Sequence, residues 1–319
     1  MNLLTDPNRT YPKGSQIDYW EAEDGWKIRR FRYDQQDNQA ARGSILFAGG
    51  RGDFFEKNLE AFRYWHAAGW NIESFDWRGQ GGSGRNSENS NLGHVQDFAI
   101  WMKDYAAYYA EWEKANPGPH IIMGHSMGGH LMTRALGEGI ATPDAAILIA
   151  PMLGFKSFVP NAVGQKAAQL MTMVASPEGA GWKYSEKPGA HENQRASLLT
   201  HDRKRYEDEI FWREENEVLG LGPGTWQWIK AAYESMMLTA TPEFLSRIKL
   251  PVLILTARAD KLVDPAAAVR AAKLLPNATL HVYGPESAHE ILREADPVRN
   301  DALKRIDDFL ETKAPVKAA

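Results

Sequence analysis

The stretch HIIMGHSMGGHLMTRAL, residues 120–136, decides how the rest of this chain is read. Ile121-Ile122-Met123 is a short apolar run of the kind that forms a buried strand. It breaks at Gly124-His125-Ser126-Met127-Gly128-Gly129, and helix-compatible residues follow at once. Gly-x-Ser-x-Gly, where a strand turns sharply into a helix, forces its central residue into a strained conformation and holds the hydroxyl above the sheet edge. Gly124 and Gly128 flank the serine because a side chain at either position would collide with neighbouring backbone. Ser126 is therefore the candidate nucleophile. The strand–turn–helix setting carries that assignment more than the five-residue pattern does.

The texture on both sides agrees with a sheet protein. Residues 17–33 alternate about Asp24-Gly25 and predict a β-hairpin. From there, residues 44–48, 70–75 and 145–150 read as short buried strands. Residues 58–68 and 94–114 read as helices, the second stopped by Asn116-Pro117-Gly118. The rhythm returns later, with strands at 251–256 and 279–283 and helices at 265–275 and 297–312. Alternation of this kind predicts an α/β fold, a mostly parallel central sheet flanked by helices. Residues 155–247 interrupt it with helical patches at 162–174, 202–217 and 225–238, separated by glycine and proline. The expected organisation is a core in two parts, 1–154 and 248–319, with a helical lid at 155–247. The lid is inserted after the sixth strand, over the strand ends where open α/β sheets bind ligands.

Composition narrows the function classes. The 319 residues are 43% hydrophobic and 24% charged, ordinary for a globular protein with a sizeable core. A net charge of −4 offers no electrostatic reason to expect nucleic acid as a partner. With no cysteine, disulfides, thiol catalysis and cysteine-based zinc sites are excluded. The first residues, MNLLTDPNRT, lack the pattern of a signal peptide, and no apolar run approaches the ~20 residues of a membrane helix. The cytoplasm is the expected location, with no cofactor and no metal. Eleven tryptophans could build an apolar cavity, but on composition alone they are read as core.

A serine hydroxyl needs a base that is itself oriented by a carboxylate. After a nucleophile turn of this kind the acid and then the histidine follow in chain order, each on a loop after a strand. Asp260 lies just beyond the 251–256 strand and His289 just beyond the 279–283 strand. Among the other histidines, His281 and His120 fall in strands, His66, His94 and His130 in helices, and His191 and His201 in the lid. His125 adjoins the nucleophile, and its side chain is expected to point away and pack structurally. Asp264 precedes Pro265 and reads as a helix N-cap; Asp76 is expected to fix the Arg78 loop. For the tetrahedral oxyanion the expected donors are the backbone N–H of Met127 and, from the loop Gly49-Gly50-Arg51-Gly52-Asp53, that of Arg51.

These residues carry a family resemblance. GHSMGG at 124–129, DWRGQGGSGR at 76–85, ARADKLVD at 257–264 and ESAHEILRE at 286–294 resemble the α/β-hydrolase superfamily. More narrowly they resemble its lysophospholipase and monoacylglycerol-lipase branch, over residues 20–155 and 245–313. That branch often has His-Gly-x-Gly-Glu in the oxyanion loop; here the leading His is absent and Asp53 stands for Glu. The resemblance implies attack by Ser126 on an ester carbonyl, an acyl-enzyme, and its hydrolysis by water activated by His289. It implies a monoacylglycerol or lysophospholipid as substrate. Phe155, Phe158, Trp182, Trp226 and Met236 of the lid are candidates to receive the acyl chain, which gains ~0.8 kcal/mol per buried CH₂. The same side chains could equally pack the lid's own core. An apolar lid would also allow peripheral contact with a lipid surface, while the oligomeric state is open. The alternatives are a small-ester esterase, thioesterase, aminopeptidase or acyltransferase of the same fold, or a non-catalytic binding protein, for which a damaged triad would be expected.

Overall fold

β1 (Gln16–Glu21) and β2 (Lys27–Tyr33) form the predicted hairpin, antiparallel about a turn in which Gly25 takes a φ of +82°. The computed structural model describes residues 6–36, 41–156, 161–182 and 192–315, with the backbone alone at 161–162 and 192–194. β2 also runs antiparallel to β4 (Trp70–Phe75). All further neighbours are parallel: β4 with β3 (Gly43–Ala48), then β5 (His120–His125), β6 (Ala145–Ile149), β7 (Val252–Ala257) and β8 (Ala278–Tyr283). The eight strands lie in the order β1-β2-β4-β3-β5-β6-β7-β8.

The central strands are apolar runs because both of their faces are covered. Along β3, Ile45 and Phe47 face one helical layer, Leu46 and Ala48 the other. The first layer holds α1 (Leu59–Ala67) and α10 (Asp296–Lys313), which bring Phe62, Trp65, Ile306 and Leu310 to the sheet. Opposite stand α2 (Phe98–Ala115), α3 (Met127–Gly137) and α9 (Pro265–Leu274), contributing Trp101, Tyr105, Leu131 and Ala268. Trp65, Trp70 and Trp101 are among the largest fully buried side chains. Much of the aromatic content is therefore core.

One boundary differs from the sequence reading. α2 begins at Phe98 rather than at residue 94, because the Asp97 carboxylate accepts the Ala99 N–H at 2.8 Å and caps the helix there. His94 consequently lies in a loop, its Nδ1 3.0 Å from Thr225 Oγ1.

Between β6 and β7 the chain is helical: α4 (Asn161–Val174), α5 (Glu192–Leu199), α6 (Arg203–Glu215), α7 (Trp226–Thr239) and the short α8 (Pro242–Leu245). α5 and α8 were not legible beforehand, since α5 is only eight residues long and α8 spans a single turn. The insertion is tied to the rest by backbone. Phe155 bridges Val263, the Asp264 N–H donates to Gly154 O at 2.8 Å, and Gly224 bridges Gly93. Among the described residues, no helix is long and apolar enough to cross a membrane.

The β5–α3 turn is where the sheet meets the insertion. A β-carbon on Gly124 would lie 2.7 Å from the backbone of Gly128 and Gly129. One on Gly128 would lie 2.4 Å from Ala48 O and 2.5 Å from Gly49 O. Both obstacles are main chain and cannot swing aside. We predict that Gly128→Val lowers unfolding stability by about 1–3 kcal/mol or more, read from urea denaturation midpoints. Unchanged stability would contradict the close approach.

Candidate active site

Ser126 sits at φ +53°, ψ −117°, one of two non-glycine residues with positive φ among those described. Its surroundings hold it there. The Ser126 N–H donates to Ile149 O at 2.9 Å, and its carbonyl accepts from the N–H groups of Met152 at 2.9 Å and His130 at 3.1 Å. Strain of this kind persists only where neighbouring bonds over-determine the backbone.

Asp260 and His289 meet on the loops after β7 and β8. His289 Nδ1 donates to Asp260 Oδ2 at 2.6 Å, and both side chains are buried. The other Asp260 oxygen accepts from the N–H groups of Leu262 at 2.8 Å and Val263 at 3.1 Å, which fixes the carboxylate plane. With Nδ1–H committed to the acid, Nε2 of a neutral ring carries the lone pair a general base requires. Burial alone would raise the Asp260 pKa, but His289 and the two amides outweigh it and hold the carboxyl low. For His289, burial lowers the pKa while Asp260, with help from Glu290 and Asp53, raises it above its ordinary 6.5. Asp264, the rival acid, caps α9 by accepting the Ala266 N–H at 2.9 Å.

The loop after β3 lies against the nucleophile. A β-carbon on Gly50 would be 2.9 Å from that of Ser126. Within the loop, the Gly50 N–H donates to Asp53 Oδ2 at 2.7 Å, the Gly52 N–H to Gln80 Oε1 at 2.6 Å, and the Asp53 N–H to Gly50 O at 3.3 Å. None of those three amides is therefore offered to an oxyanion. Arg51 lies between them in the chain. Its guanidinium lies 5.0 Å from the ring of Trp182 and 5.3 Å from that of Trp228 in the insertion. Met127 opens α3, where first-turn amides have no acceptor within the helix.

The His125 ring is buried among polar partners: it lies 4.8 Å from the His289 ring, with Nδ1 3.0 Å from Asp53 Oδ2 and Nε2 3.4 Å from His289 O. Asp76 does brace the glycine-rich loop, accepting the Gly82 N–H at 2.8 Å and pairing with Arg29 at 2.9 Å; Arg78 itself pairs with Asp24 and Asp104.

Of the acyl-chain candidates, Phe155 and Trp182 both adjoin Trp228. Phe155 packs at 5.1 Å from the Tyr233 ring and Trp182 under Arg51, both half-buried, and half-buried Trp226 opens α7. Met236 is packed into the core with only 1% of its surface accessible, which favours a structural role. Phe158 and His191 lie outside the described residues.

A family model described as "Serine aminopeptidase, S33", a hydrolase family, matches residues 39–296. The chain belongs to this family. Lysophospholipase L2 of Escherichia coli is 29% identical over 94% of this chain and 91% of its own length. Monoglyceride lipase of Rattus norvegicus is 24% identical over 70% and 69%. Among solved structures, a soluble variant of monoglyceride lipase from Saccharomyces cerevisiae superposes with a TM-score of 0.76 at 18% identity, covering 96% of this chain and 99% of that one. Monoacylglycerol lipase of Paleococcus ferrophilus gives 0.68 at 19%, over 90% and 99%. This family member is thus a hydrolase of the α/β-hydrolase fold.

Sequence reasoning missed what stands behind the loops of this hydrolase. Asp53, Lys57, Glu209, Glu290 and Arg293 form a buried ionic cluster that borders the loop carrying His289. The i,i+4 spacing of Asp53 and Lys57 and the i,i+3 spacing of Glu290 and Arg293 were the available signals. Among the described residues, no group of His, Asp and Glu has the arrangement of a metal site.

Only neutral imidazole can accept the serine proton, so kcat/KM should rise with pH along a limb centred above 6.5, the sign the raised His289 pKa dictates. Asp260→Asn should lower the centre of that limb and cut kcat by about 10³- to 10⁴-fold. A pH-independent rate between pH 5 and 8 (about the range His normally titrates across) would contradict the base assignment.

Proposed function

We propose that this hydrolase cleaves the carboxylic ester of a single-chain lipid, a lysophospholipid or monoacylglycerol, through Ser126, His289 and Asp260. The observation that carries the reading is the 2.6 Å bond from His289 Nδ1 to Asp260, on loops at the same sheet edge as a strained serine. In this mechanism Ser126 Oγ attacks the ester carbonyl carbon while its proton passes to His289 Nε2. The oxyanion accepts from the Met127 and Arg51 amides. Collapse breaks the ester bond; the departing alcohol takes the proton from His289 and leaves an acyl-serine. Water, deprotonated by His289, then releases the fatty acid and restores Ser126.

The lysophospholipase and monoglyceride lipase among its relatives favour a monoacyl substrate. The insertion at 155–247, read as a lid, favours one too. Val163, Leu170, Met173 and Val174 of α4 are 52%, 57%, 78% and 70% exposed, an apolar surface suited to peripheral contact with lipid. Action from the cytoplasm on a lipid surface is part of the same reading.

Fatty-acid release from a monoacylglycerol and from a lysophosphatidylcholine of equal chain length tests the proposal. Release from at least one is expected, falling roughly 10⁶-fold in Ser126→Ala and in His289→Ala, with the double variant no worse. Cleavage of small esters or aminoacyl amides with neither lipid touched would overturn it.

A further inference from the structure

Lys57 lies on the short turn before α1 with only 2% of its side chain exposed. Its ammonium is 2.6 Å from Asp53 Oδ1, 2.7 Å from Glu290 Oε1 and 3.0 Å from Glu209 Oε2. An ammonium has three N–H donors; here each has a carboxylate, and each carboxylate comes from a different part of the fold. Asp53 ends the Gly49–Asp53 loop and, through its other oxygen, holds the Gly50 amide and the His125 ring. Glu290 adjoins His289. Glu209 belongs to α6 of the insertion.

We propose that Lys57 is a positioning residue: it joins the loop that supplies an oxyanion donor to the loop that carries the general base, and locks both to helix α6. The inference rests on the catalytic reading above. It follows from what the cluster is made of. Arg293 donates to Glu290 and, at 3.1 Å, to Glu209, while Arg195 and Arg213 reach the far Glu209 oxygen at 2.6 and 3.2 Å. The void lined by Asp53, Lys57, His125, Glu290 and Arg293 has a volume of about 10 Å³, room for at most about one water. Solvent therefore does little to compensate these charges.

Buried ion pairs are a poor source of net stability, since desolvation offsets the attraction, yet removing one partner strands the others. What such a cluster supplies is registry: carboxylates that must all reach one nitrogen fix three chain segments relative to one another. The charges respond accordingly. Burial would raise Asp53 and Glu209, but Lys57 with His125, and Arg195 with Lys57 and the other arginines, hold them well below the usual range. Both loops touch the reaction. A displacement of about 1 Å in either costs on the order of 10²-fold in rate.

The test compares unmodified enzyme with Lys57→Met, Lys57→Arg and Glu209→Gln, each checked for folding by circular dichroism. Labelling of Ser126 by a fluorophosphonate probes nucleophile, base and oxyanion donors together, independently of the lipid. Lys57→Met should slow labelling and kcat by about 10- to 100-fold with KM within about threefold, because positioning acts on the chemical step. The acid limb of the pH profile should move upward. The groups facing His289 are Asp260, Glu290, Asp53 and His125, and loss of the Lys57 charge leaves Glu290 and Asp53 less neutralised, with Arg293 the remaining cation. Lys57→Arg should recover part of the rate. If Lys57→Met does not fold, Glu209→Gln, which removes one anchor at constant shape, should lower kcat by about 3- to 10-fold with unchanged KM. Folded variants that label at the unmodified rate with the same pH limb would overturn the positioning role. Absence of labelling in the unmodified enzyme would instead overturn the triad.

Discussion

The close approach of the β5–α3 turn to the end of β3 is the constraint on which the catalytic end depends. Gly128 passes within contact of the Ala48 and Gly49 carbonyls, and Gly50 sits against Ser126. Because the Gly128 contacts are with main chain, the turn cannot back away without opening the sheet between β3 and β5. One consequence is the strained serine. Another is that the start of α3 and the β3 loop lie side by side at the serine.

A parallel sheet converts that local geometry into an assembled site. β7 and β8 run in the same sense as β5, so the loops after them emerge at the same edge. That brings Asp260 and His289, far from Ser126 in sequence, to the same edge of the sheet as Ser126. The insertion between β6 and β7 is anchored at this edge. It is fastened to the acid loop at Phe155 and Val263, and to the histidine loop where the Glu290 N–H donates to Leu199 O at 2.8 Å. The ionic cluster around Lys57 adds a third fastening from behind.

Local signals made most of this legible in the sequence. The nucleophile turn was readable because glycine is the only residue that tolerates its contacts, and the strands because burial on both faces leaves apolar runs. Asp260 and His289 were distinguished by position after a strand, and Asp264 by the proline that follows a cap. What escaped depends on pairing at long range. Nothing in the Asp53–Lys57 segment announces that Glu209 and Glu290 will converge on one ammonium. The partners of His125, Asp53 and His289, were not legible because they come from distant loops. The start of α2 was misplaced because a run of compatible residues outweighed the Asp97 cap.

A crystal structure of the enzyme inactivated by an alkyl phosphonate would show nucleophile, base and oxyanion donors together. Phosphorus should be bonded to Ser126 Oγ, with a phosphonyl oxygen about 2.7–3.1 Å from the amides of both Met127 and Arg51 and His289 Nε2 on the leaving-group side. Phosphorus on another residue, or an oxygen turned away from both amides, would contradict these assignments.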